Sequence, residues 1–294
     1  MTTTEAHGGL KLGVGDKVAI VAGSGRLPID LAEKLAAGGY PPFVVMVNGE
    51  ADESLASYDH QKVELESFAD LGPLLKRNGA SHAVFVGGIS RRPKLSNLRP
   101  SLALFRLMPR ILANVTKGDD GVLRTLVGMM ESRGIKVLGA HEIAPDLLAS
   151  HGSMTDASPL EADWRDLDAA AEAARAIGML DIGQGAVAIG GRAIALEGIE
   201  GTDGLLERVK AMRGHGRIAG KKRGVLVKCA KPGQELRMDL PAIGPATVIA
   251  AHEAGLAGIG VEADRSLVVD AASVFAEANK RGLFVVGLPP GKRP

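Results

Sequence analysis

Residues 17–28 read KVAIVAGSGRLP: an apolar run, the turn Gly23-Ser24-Gly25, then Arg26-Leu27-Pro28 leading into a helical period over 29–37. Gly38-Gly39 stops that period, and a second apolar run, FVVMV, starts at Phe43. Strand, glycine turn, helix and strand in this order open a βαβ unit, and the crossover through a helix makes the two strands parallel. The same alternation continues outward. A short strand is expected near 61–65, a helix over 68–77, a strand at HAVFV from His82, helices around 101–113 and 119–133, and a strand at IKVLG from Ile135. The expected fold class is α/β, with a Rossmann-like open parallel sheet in an N-terminal domain over 1–150. Pro, Ser, Thr, Gly and His crowd 145–159, where the boundary is placed. A second α/β domain, over 151–294, is read from helices at 163–177, 203–212, 245–254 and 271–281 and strands at 186–189, 193–196 and 224–228.

The chain has 294 residues, long enough for two domains that each bury a core. Lys plus Arg is 35 against 34 for Asp plus Glu, so no bulk field draws the protein to nucleic acid, and aromatics at 3% are too sparse for base-stacking platforms. A lone cysteine, Cys229, excludes an internal disulfide and, with no adjacent base, reads as a buried inert thiol. The seven histidines show no metal-ligand spacing. With no signal-like or membrane-spanning apolar run, a cytoplasmic protein is expected, at most peripheral on a membrane.

Two glycine turns follow strands of the first half. Gly23 to Leu27 precedes a helix, where free N–H groups attract anions, and Gly87-Gly88-Ile89-Ser90-Arg91-Arg92 follows HAVFV at the same sheet edge. Pro28 stands where a dinucleotide fingerprint needs its third glycine, although Glu50 or Asp52 could serve as a ribose-binding acid. The apolar segment 101–113, with Arg99, Arg106 and Arg110, reads as a core helix with a cationic stripe ahead of a lipid-contacting one. The basic stretch Arg213 to Arg223 reads as a solvated loop. In the second half, acids mix with Lys and Arg at glycine turns, a composition suited to a hard divalent ion on phosphate oxygens. Thr202 is also a plausible N-cap, whereas Asp239, between Met238 and Leu240 and read as a strand residue, needs a partner.

These second-half segments, LDIGQGAV, ALEGIEGTDGLLERV, GVLVKCAKPGQELRMDLPAIGPATV and AGLAGIGVEA, resemble the LpxI-type UDP-2,3-diacylglucosamine pyrophosphohydrolases of lipid A biosynthesis. GSGRLP, VGGISRRP, KGDDGVLR and GAHEIAP extend the resemblance through the first half. The resemblance implies hydrolysis of UDP-2,3-diacylglucosamine by water attack at the α-phosphorus, giving UMP and 2,3-diacylglucosamine 1-phosphate, with Mg²⁺ assistance and Mn²⁺ as the alternative ion. It implies catalytic roles for Asp239, Thr202, Lys231 and Arg237, metal ligation by Asp239, Asp203 and Glu200, and substrate binding by Gly23, Ser24, Gly25, Leu27, Gly88, Ser90, Arg91, Gln184 and Gln234. Gln234-Glu235 replaces the Gln-Asp that many members carry before the arginine. A diacylated substrate further implies transient contact with the inner membrane surface; no nucleic-acid partner is expected, and a homodimer is allowed. The competing readings are a nicotinamide oxidoreductase, opposed by Pro28, and a non-catalytic lipid- or nucleotide-binding regulator on the same scaffold.

Overall fold

A computed structural model describes Leu10 and residues 12–91, 118–218 and 223–291, which fall into two units: Met1–Pro145 with Glu235–Asp239, and Asp146–Gln234 with Leu240–Pro294. The expected α/β class holds in both.

In the first unit, β1 (Val18–Ala22), β2 (Phe43–Val47), β3 (Asp59–Val63), β4 (His82–Val86) and β5 (Lys136–Leu138) form one parallel sheet of order β3-β2-β1-β4-β5. β2 is buried along its whole length and β1 nearly so, as strands covered on both faces must be, and their sequences are correspondingly continuous runs of Val, Ile, Ala, Phe and Met. Leu31, Ala32 and Leu35 of α1 (Leu27–Ala37) are buried. Leu74 and Leu75 of α2 (Leu71–Arg77) pack with Met129 and Met130 of α3 (Gly118–Glu131) and with strand residues Ala19, Phe43, Val45 and Ala83 in one apolar cluster. β3 is an edge strand whose sequence, DHQKV, is charged and largely exposed, which discourages pairing with another sheet. The helix α4 (Ala140–Ile143) follows β5.

The second unit has a mixed six-stranded sheet of order β6-β13-β11-β9-β7-β8, comprising β6 (Gly152–Ser153), β7 (Gly185–Ala188), β8 (Ala193–Leu196), β9 (Val225–Lys228), β11 (Gly258–Glu262) and β13 (Phe284–Leu288). Its centre, β9, β11 and β13, is parallel, and β6, β7 and β8 add antiparallel flanks. β10 (Ala242–Ile243) pairs with β12 (Leu267–Val268). α5 (Glu161–Met179) supplies Leu167, Ala170, Ala171 and Ala174 to one cluster on β7, β9 and β13. α6 (Gly201–Met212), α7 (Pro245–Glu253) and α8 (Ala271–Arg281) pack Leu205, Val248 and Val274 into the other.

Several expectations need correction. β11 and β13, central to the second sheet, were not anticipated, and the helix expected over 68–77 is a 3-10 turn over Leu65–Asp70 followed by α2. Asp239 lies just after a turn rather than on a strand, its N–H donating to the Glu235 carbonyl at 3.1 Å. Thr202 is not an N-cap: α6 starts at Gly201 and Thr202 lies in its first turn. The basic stretch is anchored at both ends, Arg213 donating to the Ala254 carbonyl and Arg223 forking onto buried Asp163 at 3.1 and 2.6 Å. The expected helix over 101–113, with Arg99, Arg106 and Arg110, and Arg92, Lys117, Lys221 and Lys222 lie outside the described residues. Among the described residues no helix is long and apolar enough to cross a membrane.

Candidate active site

In the first sheet β1 and β4 are neighbours, yet the chain leaves them toward opposite sides, so their carboxyl ends flank the switch point where open α/β sheets bind ligands. The two glycine turns meet there. Ser24 N–H donates to the Gly88 carbonyl at 2.8 Å, Gly88 N–H to the Ser24 carbonyl at 2.9 Å, and the Ser24 hydroxyl to Gly88 O at 3.0 Å. A Cβ on Gly23 would run into the Gly88 carbonyl oxygen, and Gly87, at φ 93°, would meet Gly23 and Ser24 backbone in the same way. Two backbones approach this closely only where neither carries a side chain. Gly23→Ala is therefore expected to destabilise the protein by about 1–3 kcal/mol, as overpacking against unyielding atoms does. A urea midpoint equal to that of the parent would contradict this.

Below the turns, the groups expected to hold substrate are joined to carboxylates. Glu50 Oε1 accepts from the N–H and hydroxyl of Ser90, at 2.9 and 2.7 Å. Glu66, 7% exposed, takes Arg91 through both terminal nitrogens, at 2.5 and 3.1 Å, which raises the guanidinium pKa. Gly25 is exposed and Leu27 half-buried at the start of α1. Gly23, Ser24, Gly25, Leu27, Gly88, Ser90 and Arg91 thus share one edge of this sheet.

The five residues that the first unit takes from late in the chain carry Arg237 and Asp239. Arg237 forks onto Glu235, Nε to Oε1 at 2.7 Å and Nη2 to Oε2 at 2.9 Å, and its Nη1 reaches Glu131 at 2.7 Å. Met238 packs against the apolar cluster of the sheet, which seats the segment. Hydrogen bonding from Arg237 holds the Glu235 carboxyl below the usual range. A depressed carboxyl contributes stability that is present above its unfolded pKa and lost as pH falls through its folded one. Glu235→Gln should therefore flatten the acid limb of a plot of unfolding midpoint against pH; an unchanged limb would refute the pairing.

In the second unit, loops at the carboxyl ends of β9 and β11 meet the loops flanking β7 and β8. Glu197, 6% exposed, accepts from the Thr202 hydroxyl at 2.6 Å through Oε1 and from the Gln184 backbone N–H at 2.9 Å through Oε2. Lys228, also 6% exposed, donates to Thr202 Oγ1 at 2.8 Å and to the Ala242 carbonyl at 3.1 Å. Gln184 Oε1 is buried with no hydrogen-bond partner. Lys231 donates from Nζ to Asp181 at 2.6 Å, and its N–H to Gln234 Oε1 at 2.8 Å. The preceding residue is fixed by Glu262, which accepts the Ala230 N–H at 3.1 Å and pairs with Arg175. Burial pushes the Cys229 thiol up to about 12, consistent with the inert reading. Glu200 pairs with Arg208, its carboxyl held low first by its own backbone N–H, while Asp203 is exposed in the first turn of α6.

Comparison with known proteins bears on both units. The LpxI N-terminal domain model matches residues 17–147 and the LpxI C-terminal domain model residues 150–286. The chain belongs to the LpxI family. A relative from Caulobacter vibrioides, named UDP-2,3-diacylglucosamine pyrophosphatase LpxI, is 40% identical over 282 residues, covering 95% of this chain and 99% of its own. Among solved structures, a UDP-glucose-4-epimerase from Stenotrophomonas maltophila is 12% identical, covers 41% of this chain and 34% of its own, and has a TM-score of 0.26.

For this LpxI chain the structure gives defined partners to Asp181, Glu197 and Lys228, which lie among the second-half acids and cations legible in the sequence, and adds Glu262 to them. A charged residue closing a short apolar strand, as in VLVK and AIALE, was the visible signal, because a charge buried at a strand end must be paired. Among the described residues, no three or more His, Cys, Asp or Glu side chains are gathered to hold a metal ion. The donors present are hard carboxylate oxygens, some already engaged by arginine, as Glu200 is. Such a set fits Mg²⁺ that keeps most of its ligands from water and substrate phosphate and takes one or two carboxylates, rather than a resident cage.

Proposed function

We propose that this chain hydrolyses the pyrophosphate of UDP-2,3-diacylglucosamine in lipid A biosynthesis, with water attacking the α-phosphorus. The water oxygen bonds to that phosphorus, the bridging oxygen leaves with the sugar phosphate, and the products are UMP and 2,3-diacylglucosamine 1-phosphate. The observation that carries this reading is the 40% identity, over 95% of the chain, to the Caulobacter vibrioides pyrophosphatase.

Protein groups do most of the work through position and charge. Lys231 and Arg237 face the negative charge that builds on the phosphates, and the carboxylates that pair them keep both extended and charged before substrate arrives. The unsatisfied Gln184 Oε1 accepts a hydrogen bond from the substrate, and Gln234 keeps Lys231 in register. Ser24, Ser90 and Arg91 are put forward as further substrate-binding groups, Ser90 and Arg91 by exchanging carboxylate partners for substrate oxygens. Mg²⁺ supplies charge neutralisation on the phosphate oxygens when bound; Asp239 is the carboxylate put forward for it, with Asp203 and Glu200 as the further acids. The diacyl substrate brings the protein to the inner membrane surface as a peripheral visitor.

A phosphorus NMR assay in ¹⁸O-labelled water, with and without Mg²⁺, tests all of this together. Label in UMP and a rate that collapses on chelation are the expected results. Label in the sugar phosphate would place the attack on the other phosphorus, and binding without cleavage would replace hydrolysis by a regulatory role.

A further inference from the structure

Of the residues to which the resemblance gives a catalytic role, Thr202 is the one with no step assigned above, and its hydroxyl lies between the buried side chains of Lys228 and Glu197. We propose that Glu197 and Lys228 are positioning residues that act through Thr202, a role that rests on the functional reading above for its kinetic test and on hydrogen bonding alone for its spectroscopic one.

The argument starts from donors and acceptors. A carboxylate only accepts and an ammonium only donates, so the hydroxyl between them has no choice of orientation. Thr202 gives its single proton to Glu197 Oε1 at 2.6 Å and receives one from Lys228 Nζ at 2.8 Å. It then has no proton left for a phosphate oxygen. Its work is to fasten, and what it fastens is extensive. Glu197 also grips the Gln184 N–H, and the Gln184 carbonyl in turn accepts from Cys229 N–H at 2.9 Å. Lys228 also grips the carbonyl of Ala242, three residues beyond Asp239 in the chain. One hydroxyl therefore ties together the segments that carry Gln184, Thr202 itself, the start of the Lys231 loop and the return from Asp239.

Burial makes the arrangement stiff. Glu197 and Lys228 are each only 6% exposed, so neither charge can exchange its partner for water cheaply, and removing one partner strands the other. Gly183 shows how little slack there is, since a Cβ there would run into the Glu197 carbonyl oxygen. A misplacement of about 1 Å at such a set costs about 100-fold in rate. Residues that act as one unit also lose their effect together rather than separately.

The test is a cycle on the full-length protein with Thr202→Val, which keeps the volume and removes the hydroxyl, Glu197→Gln, which keeps the shape and removes the charge, and the double variant. Each single change should lower kcat by about 100-fold with KM altered less than about threefold, and the double variant should fall within about threefold of either. Thr202→Ser should recover most of the loss. In parallel, the Gln184 backbone amide resonance should move in Glu197→Gln and in Thr202→Val. Losses that multiply in the double variant, a Thr202→Val protein as active as the parent, or an unmoved Gln184 amide would each overturn the proposal. If Glu197→Gln does not fold, Lys228→Gln takes its place in the cycle with the same expectations. Absence of turnover in the parent protein would remove the functional reading, and the amide shifts would still decide whether the three residues are coupled.

Discussion

Asp239→Asn should lower turnover of UDP-2,3-diacylglucosamine by roughly 10²- to 10⁴-fold, the range for loss of a group that orients or deprotonates the attacking water, and leave the unfolding midpoint nearly unchanged. The two halves of this expectation have separate causes. Residue 239 is held in part by atoms that the substitution does not touch: its N–H on the Glu235 carbonyl, and Met238 against the apolar cluster. What asparagine removes is the negative charge, and with it the proposed hold on Mg²⁺. The kcat of the variant and its Mg²⁺ titration, recorded beside thermal unfolding, separate a chemical effect from a structural one. Turnover within about threefold of the parent, at an unchanged Mg²⁺ requirement, would remove Asp239 from the reaction.

Gly287→Ala should be among the most damaging single substitutions to stability, at about 3 kcal/mol, the upper end for overpacking. Gly287 lies in β13 between β11 and β6, paired with Val261 on one side and Gly152 on the other. A Cβ there would run into the carbonyl oxygen of Ser150, and His151 Cα stands behind it at 3.3 Å. Neither obstacle is the flexible end of a side chain, so relief requires the segment preceding β6 to move away from the sheet. That would also loosen the bond from Met154 N–H to the Val285 carbonyl, now 2.9 Å. For a protein of this size the change corresponds to a fall of about 5 °C in the unfolding midpoint. Calorimetry showing less than about 2 °C would mean that the segment yields freely.

The first sheet was legible because its strands are short apolar runs bounded by glycine turns, and the pattern of β1, α1 and β2 follows from KVAIVAGSGRLP and FVVMV. β11 was hidden by its composition. Its glycines at 258 and 260 resemble turn residues, but in the structure they make room for the Phe284 ring and for Leu167. Packing against neighbours that are distant in sequence leaves no local periodicity to read. The same cause limited the site. Glu197, Gln184 and Lys228 come from three different strand ends, and only the sheet order β9-β7-β8 makes them neighbours. Thr202 offered two readings, a catalytic residue by resemblance and a helix cap by position; the cap reading fails because a buried carboxylate five residues upstream takes its hydroxyl. Conversely, the membership of the chain in its family was legible from motifs alone, since GSGRLP, EGTDG and RMDLP are continuous in sequence.

The five residues Glu235–Asp239 are counted with the first unit although about ninety residues separate them from the rest of it. During synthesis, then, the first unit leaves the ribosome unfinished. At 5–20 residues per second it waits roughly 5 to 20 s before Met238 can fill its place in the apolar cluster and Arg237 can meet Glu131. A truncation after residue 145, however well it respects the linker, would release an N-terminal fragment that lacks part of its own core. Two split genes for the halves would have to supply that part in trans.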